Sequence, residues 1–480
     1  MSTIKAYHTR IVIPEYDLGD NAIIENSLST WDEIRYKLNP IGYNYNEETR
    51  ELTIPRGFSI NYISELFSRP VDIISEHDKP LPASFRLMVE PRNDLQRKSI
   101  SFLIGKDAFA YTRKYSQQSL NLQTGDGKTY CVIAALTFLK MKSLIITPIE
   151  NIKLQWYESL LKMTDIDERY ILNIKGSGTI DKILNSKKPL AYKVFLVNHR
   201  TISTYAKKNG WEKITELFVK LGIGVKVYDE AHLEFYNMVQ IDLHTNTKKT
   251  IYLTANFERS DYSENKVFEK CFRHIPKYGK ETIDEKRKHI IYVPVFFNSK
   301  PSMEDHGYVF SRMGLSKPNY ISYQLEKGYI YEVIEYLINF FKEKEGKILL
   351  LFSTILATEQ VFQFIQELNL GKSVGIYNST ISTEEKTSVK EKDIIISTPK
   401  SMGTGVDIPG LRVVIMTEPY SSKITANQLA GRLREIPDKN TFYVELVDEG
   451  FSGVQKLYTK RLPVFKQKCL SMTKLKYDKK

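Results

Sequence analysis

Eight short apolar runs, each as long as a buried strand and separated from most of its neighbours by helix-length sequence, govern what this chain can become. They are Leu144–Thr147, Val194–Val197, Val225–Tyr228, Ile251–Thr254, Ile348–Phe352, Ile394–Ser397, Val413–Met416 and Phe442–Leu446. A strand that is apolar on both faces has to be covered on both faces, which predicts parallel sheets layered with helices. The runs fall into two groups of four, so the reading is two consecutive α/β domains. The stretch between the groups, about residues 258–290, is charged and poor in apolar runs, as an interdomain connection would be. Ahead of both, alternating stretches at Arg10–Pro14 and Glu51–Ile54 bracket turn-prone sequence, and Gly42–Phe58 reads as a hairpin. The expected division is a small α/β accessory domain over 1–86, a first α/β domain over 87–280 and a second over 281–480.

Charge is divided as unevenly as pattern. The first 90 residues hold nine Lys and Arg against fourteen Asp and Glu, a balance of −5, so the other 390 carry +17 of the overall +12. A surplus of that size reads either as a surface for a polyanion such as nucleic acid or as a merely basic surface. The last 25 residues, Lys456–Lys480, contain nine Lys and Arg and one acidic residue, a tail that either touches phosphate or is a solvated end. With 42% hydrophobic residues the chain is not a disordered one. No apolar run approaches the roughly 20 residues of a spanning helix, and the start has no basic segment followed by an apolar one, so no membrane partner is expected. Cys131, Cys271 and Cys469 are odd in number and far apart, which suits neither a disulfide framework nor a zinc site and points to a reducing cytoplasm.

Chemistry enters at two places. Leu122-Gln-Thr124-Gly125-Asp126-Gly127-Lys128-Thr129 precedes a helix-like run, Tyr130–Lys140. Glycines let backbone N–H groups close on phosphate at a helix N-terminus, Lys128 can reach β- and γ-phosphates, and the Thr129 hydroxyl can ligate Mg²⁺. The long form of such a loop has Gly where Leu122 stands, so the match is to the shorter Thr-Gly-x-Gly-Lys-Thr form. A hundred residues on, Val225-Lys-Val-Tyr228 runs into Asp229-Glu230-Ala231-His232, placing two carboxylates at the C-terminal end of a strand, where open α/β sheets bind ligands. Asp229 can hold the Mg²⁺ of ATP, and Glu230 can orient or deprotonate the attacking water.

The ordered set of these residues resembles the superfamily 2 helicases and translocases, in the branch whose second motif is Asp-Glu-x-His, over about residues 87–450. Gln96 is similar to the family's adenine-reading glutamine. Thr147-Pro148 and Gln155-Trp156 look like the segments that touch the nucleic-acid backbone. Thr254-Ala255-Asn256-Phe257-Glu258-Arg259 resembles the segment, with His232 the partner histidine, that couples hydrolysis to nucleic acid, although Asn256 and Phe257 depart from it. Leu350-Leu-Phe-Ser353 looks like the fourth motif, Gly403-Thr404-Gly405-Val406-Asp407-Ile408-Pro409 the fifth, with Gly405 and Asp407 on the nucleotide side, and Gln428-Leu-Ala-Gly431-Arg432-Leu-Arg434, on a predicted helix, the sixth. The sixth motif supplies arginine fingers in this family; here the second arginine comes one residue early, so Arg432 is the safer finger.

The resemblance implies two tandem RecA-like domains, ATP with Mg²⁺ as cofactors, and a helicase that acts on DNA. Gln-Trp, the fifth-motif form and Ile54-Pro-Arg-Gly57-Phe58 look like viral members that migrate DNA branches or release transcripts, which implies work on forked or branched DNA in the cytoplasm of a host cell. An RNA-directed motor and a nucleotide-binding scaffold that no longer turns over stand as alternatives. The accessory domain could be a wedge, a junction reader or a docking surface for replication or recombination proteins. Its Tyr43, Tyr45 and Phe58 could stack on bases or be buried in the hairpin, and His199 could touch DNA or be a packing residue.

Overall fold

The structure is a computed structural model and describes residues 2–32, 36–105, 116–122, 125–187, 189–254, 262–279, 288–311, 314–402, 406, 408–420, 422–436 and 438–478. The chain divides into two compact units, Met1–Lys280 and Glu281–Lys480.

The first unit opens with strands β1 (Ile4–Ala6), β2 (Arg10–Ile13), β3 (Ser29–Asp32), β4 (Lys37–Pro40), β5 (Asn44–Asn46), β6 (Glu51–Pro55) and β7 (Val71–Ile73). Five of them form a sheet in the order β5-β6-β2-β1-β7, antiparallel except where β7 joins β1, while β3 and β4 make a separate antiparallel ribbon. The hairpin expected within Gly42–Phe58 is β5–β6. Alternation puts Ile11, Ile13, Leu52 and Ile54 on one buried face. That face has no separate core, because its residues run without a break into Phe235, Met238, Val267, Phe268, Cys271 and Phe272 of the layer behind it. Tyr43 and Tyr45 pack against this core and Phe58 is buried in it, so of the two readings for these aromatics the hairpin one holds. The exposed aromatics of the accessory layer are instead Trp31, Tyr36 and Tyr62.

Behind lies a sheet of β8 (Gln117–Leu120), β9 (Ser143–Thr147), β10 (Ile171–Ile174), β11 (Val194–Asn198), β12 (Val225–Tyr228), β13 (Lys249–Leu253) and β14 (Lys277–Tyr278). Its order is β10-β11-β9-β12-β13-β8-β14 and every pairing is parallel. All four apolar runs of the first group are strands here. The stretch read as a connection from about residue 258 behaves differently. Tyr262–Phe272 is a helix whose inner face (Val267, Phe268, Cys271, Phe272) is buried, and β14 follows it at the sheet edge. Its charges sit on the outward face, which hides an amphipathic helix inside a polar-looking segment.

The second unit contains β15 (Ile290–Phe297), a small antiparallel ribbon β16 (Phe310–Ser311) and β17 (Gly314–Leu315), then β18 (Lys347–Leu351), β19 (Val374–Tyr377), β20 (Ile394–Ser397), β21 (Leu411–Met416), β22 (Thr441–Asp448), β23 (Ser471–Met472) and β24 (Leu475–Lys476). The main sheet runs β19-β20-β18-β21-β22-β15-β23, with β24 also beside β15, again with every pairing parallel. The fold class is thus α/β with two RecA-like parallel sheets. The basic tail is not a free end in its backbone: Ser452–Lys468 is a helix, and the N–H groups of Leu470, Thr473 and Tyr477 donate to the carbonyls of Ile290, Tyr292 and Phe296. Residues of one parity in a parallel strand direct both backbone groups to the same side. Pro294, which has no N–H, therefore faces the tail at the gap between β23 and β24, where no donor is required. No helix among the described residues is long and apolar enough to cross a membrane.

The accessory layer meets helix Tyr262–Phe272 backbone to backbone at Gly57, where an added Cβ would stand 1.8 Å from the Cys271 carbonyl oxygen. The Gly57 carbonyl also accepts the His274 N–H at 3.1 Å. Gly57→Ala is expected to lower unfolding stability by about 1–3 kcal/mol, since backbone has to shift. Gly178→Ala, in an open helical position, is expected to be neutral or stabilising by up to about 1 kcal/mol. Denaturant midpoints of the two variants against the parent check both.

Candidate active site

The loop that begins after β8 enters helix Lys128–Leu139 through two glycines held at positive φ, Gly125 at 101° and Gly127 at 88°. Side chains disfavour this region, and at Gly127 a Cβ would also lie 2.4 Å from the Gln96 amide nitrogen. The result is a helix N-terminus whose leading residue has no side chain in front of its N–H groups, which is an anion cradle. Gln96 is buried and closes the loop from above: its amide donates to the Asp126 carbonyl at 3.0 Å, and its carbonyl oxygen accepts the Arg92 N–H at 2.9 Å. Arg92 adds a bond to the Gly125 carbonyl at 3.2 Å. The Lys128 ammonium donates to the Leu122 carbonyl at 3.0 Å, and Thr129 is half-buried one residue on. Thr124 lies outside the described residues.

The carboxylates stand at the end of β12, two strands from β8. Asp229 is buried, its Oδ2 accepts the Trp156 indole N–H at 2.8 Å, and its Oδ1 accepts the Glu230 N–H at 2.9 Å. Burial and the Glu230 charge push the Asp229 carboxyl well above the usual range; the Trp156 bond and the Lys128 charge oppose them. A buried carboxylate with an acid as its next neighbour fits a divalent cation, which Asp229 and Thr129 would hold. Glu230 has φ 48°, a left-handed backbone that costs a non-glycine residue roughly 1–3 kcal/mol and is found at functional sites. The turn sends Ala231 N–H to the Leu253 carbonyl at 2.9 Å. His232, buried, then bonds Thr254 Oγ1 through Nδ1 at 2.9 Å and lies 3.4 Å from the Glu230 carboxylate. His232 and Thr254 are therefore in contact with each other and, through Glu230, with the carboxylate pair; Ala255 and the following residues through 261 lie outside the described residues.

Other expected contacts fall differently. Thr147 is fully buried with its hydroxyl on Asn198 at 2.8 Å, and Trp156 is buried against Asp229, so neither side chain lies on the surface; Pro148 and Gln155 are half-exposed. His199 is fully buried, stacked on Tyr228 at 5.5 Å, and burial lowers it to about 3. Of its two readings, packing holds.

In the second unit, Ser353 follows β18 and its N–H donates to Glu418, a fully buried carboxyl that burial pushes up to about 7. Thr404, Gly405 and Asp407 lie outside the described residues. The predicted helix of the sixth motif, Lys423–Ala430, stops at Gly431, so Gln428 is in its last turn and both arginines lie beyond it. The Arg432 guanidinium donates to the carbonyls of Met402 and, at 2.6 Å, Val406. Arg434 donates to its own turn at Gly431, 3.3 Å.

Residues 92–259 match the family described as "Type III restriction enzyme, res subunit", and residues 331–435 match "Helicase conserved C-terminal domain". The chain belongs to the superfamily 2 helicases. A curated relative, putative helicase 161L of Invertebrate iridescent virus 6, is 24% identical over 411 residues, 80% of this chain and 86% of that one. Among solved structures, S. cerevisiae Dbp5 bound to RNA and ADP BeF3 is similar with a TM-score of 0.54 at 12% identity, covering 80% of this chain and 89% of that one. T4 UvsW covers 99% and 100% at 15% identity, with a TM-score of 0.38.

Several residues of this helicase that shape the site had no motif to announce them. Lys226 and Asp242 form a fully buried ion pair at 2.5 Å, and the hydroxyls of Tyr228 and Tyr252 both donate to Asp242, fixing β12 against β13 beneath the carboxylates. A lysine inside the apolar run Val225–Tyr228 was the available signal, because a charge there has to find a partner. Trp156 did stand in a motif, but as part of a nucleic-acid segment and not as the partner of Asp229. Trp156→Phe keeps the ring and removes the 2.8 Å bond to Asp229, so the Mg²⁺ concentration giving half-maximal ATP turnover is expected to rise roughly 10-fold or more, as for other residues that orient metal ligands. Turnover titrated with Mg²⁺ in parent and variant measures it.

Proposed function

We propose that this helicase is an ATP-driven motor on DNA that remodels forked or branched substrates in the replication, recombination or repair of a virus. One observation carries the ATPase part of the reading: a helix N-terminus entered through Gly125 and Gly127 at positive φ follows β8, and the Asp229–Glu230 pair follows β12 of the same parallel sheet. The surplus of +17 beyond residue 90 favours a polyanion track. The kinship with a viral putative helicase favours the setting.

The chain's own residues divide the work. N–H groups at the start of helix Lys128–Leu139 and the Lys128 ammonium hold the phosphates. Gln96, already facing the loop, is placed to read the base. Asp229 and Thr129 would hold a Mg²⁺ ion, which would supply neutralisation of phosphate charge. Glu230 orients the attacking water and takes its proton. His232 and Thr254 relay the state of Glu230 toward the segment after β13, so that turnover and grip on nucleic acid change together. Arg432, whose guanidinium donates to the carbonyls of Met402 and Val406, is proposed as the arginine needed for turnover, with Arg434 beside it as the second candidate.

Steady-state hydrolysis is to be measured alone and with single-stranded DNA, blunt duplex, a four-way junction and RNA of matched length. Strongest stimulation by the junction is expected. Stimulation by RNA alone would move the protein to transcript-directed work, and no stimulation by any polymer would leave a nucleotide-binding scaffold. Lys128→Ala is expected to abolish turnover, and Glu230→Gln to retain ATP binding while kcat falls by about 10²–10⁴.

A further inference from the structure

A cleft of about 720 Å³ opens in the first unit between the accessory layer and helix Tyr262–Phe272. That is within the roughly 300–1,000 Å³ of ligand clefts. One wall is cationic. Lys266, Lys270 and Arg273 lie about one helical turn apart on the outward face, with Lys277 just beyond, and all four are exposed. Glu269 is the one carboxylate among the described lining residues. The opposite wall is uncharged, made of hydroxyls and an amide from residues 26–30 and the ring of Trp31, which is 56% exposed. The inner face of the same helix is locked into the shared core by Val267, Phe268, Cys271 and Phe272, so the cationic row is held on a rigid support.

We propose that this cleft takes a single-stranded stretch of nucleic acid, with the backbone along the cationic row and a base stacked on Trp31. The proposal rests on the reading of the protein as a nucleic-acid motor and adds where an unpaired strand is held. A row of cations at regular spacing tracks a chain of phosphates, whereas a compact anion needs converging groups. A large exposed aromatic facing that row is what a base, having a π-face whatever its identity, can use. The division also resolves the electrostatics of the accessory layer, which carries net negative charge: it contributes the neutral, stacking wall, and the layer behind contributes the charge.

The test uses the full chain and 5′-labelled 20-nucleotide DNA and RNA single strands, with a blunt duplex as comparison, by fluorescence anisotropy across a salt series. Lys270→Ala with Arg273→Ala is expected to weaken single-strand binding and to flatten the slope of log K against log salt by about 1.4, at roughly 0.7 for each phosphate no longer neutralised. Trp31→Ala is expected to weaken single-strand binding about 10-fold with little change for the duplex, and Trp31→Phe to recover most of it. A strand carrying 5-iodouracil should crosslink to Trp31, and whichever of DNA or RNA does so names the strand. ATP turnover without polymer should be unchanged in every variant, which also reports that they fold. If the parent binds and is stimulated while these variants keep its affinity and salt slope and Trp31 is not crosslinked, the cleft is not the strand site and the motor reading stands. If the parent neither binds nor responds to any polymer, the motor reading falls and this proposal with it. Binding of an acidic protein in the cleft with no strand competing would likewise overturn it.

Discussion

A carboxylate that is buried and has an acid as its next neighbour is an unfavourable thing to build, and much of the first unit exists to hold one. Asp229 keeps its place because Trp156 reaches across from its helix to bond one oxygen and the Glu230 N–H bonds the other. Glu230 in turn accepts a left-handed backbone, which swings His232 onto Thr254. Beneath them the Lys226–Asp242 pair and its two tyrosine hydroxyls stop β12 and β13 from sliding. A cation bound at this position would relieve the repulsion between the two neighbouring acids.

The accessory layer is part of the same framework. It has its own sheet, yet the residues that fill its buried face come from both sides, and Gly57 brings its backbone against Cys271. The helix that it covers is the one presenting the cationic row. An acidic layer and a basic row thus meet along a single element, apolar inward and charged outward.

Legibility followed burial. Strands covered on both faces have to be apolar, and all eight runs picked out by that rule are strands. β8 escaped the rule because its Gln117, Gln118 and Ser119 are buried polar side chains, satisfied by Tyr252, Phe102, Lys249 and Asn121, and such pairing is invisible until the partners are in place. β15 escaped because Pro294 interrupts it, harmless only because the tail leaves a gap there. Helix Tyr262–Phe272 was hidden by its outward charges. At the site, the phosphate loop and the acidic pair could be read from residue type and spacing, since that chemistry tolerates few substitutes. The direction in which Trp156 points and the carbonyls that occupy Arg432 depend on packing, and no spacing encodes them.

The order in which the chain is made differs from the order in which these parts can be finished. Strands β1 to β7 leave the ribosome first, but the residues that complete their core, Val267 to Phe272, follow some two hundred residues later. In the second unit the long strand β15 is covered by residues 470 to 477, which are made well over a hundred residues after it. Until then each unit exposes unfinished surface, an apolar sheet face in one and a row of unpaired backbone groups in the other. Each unit is therefore closed by a segment that lies near its end in the chain, so neither can be completed until almost all of it has been made.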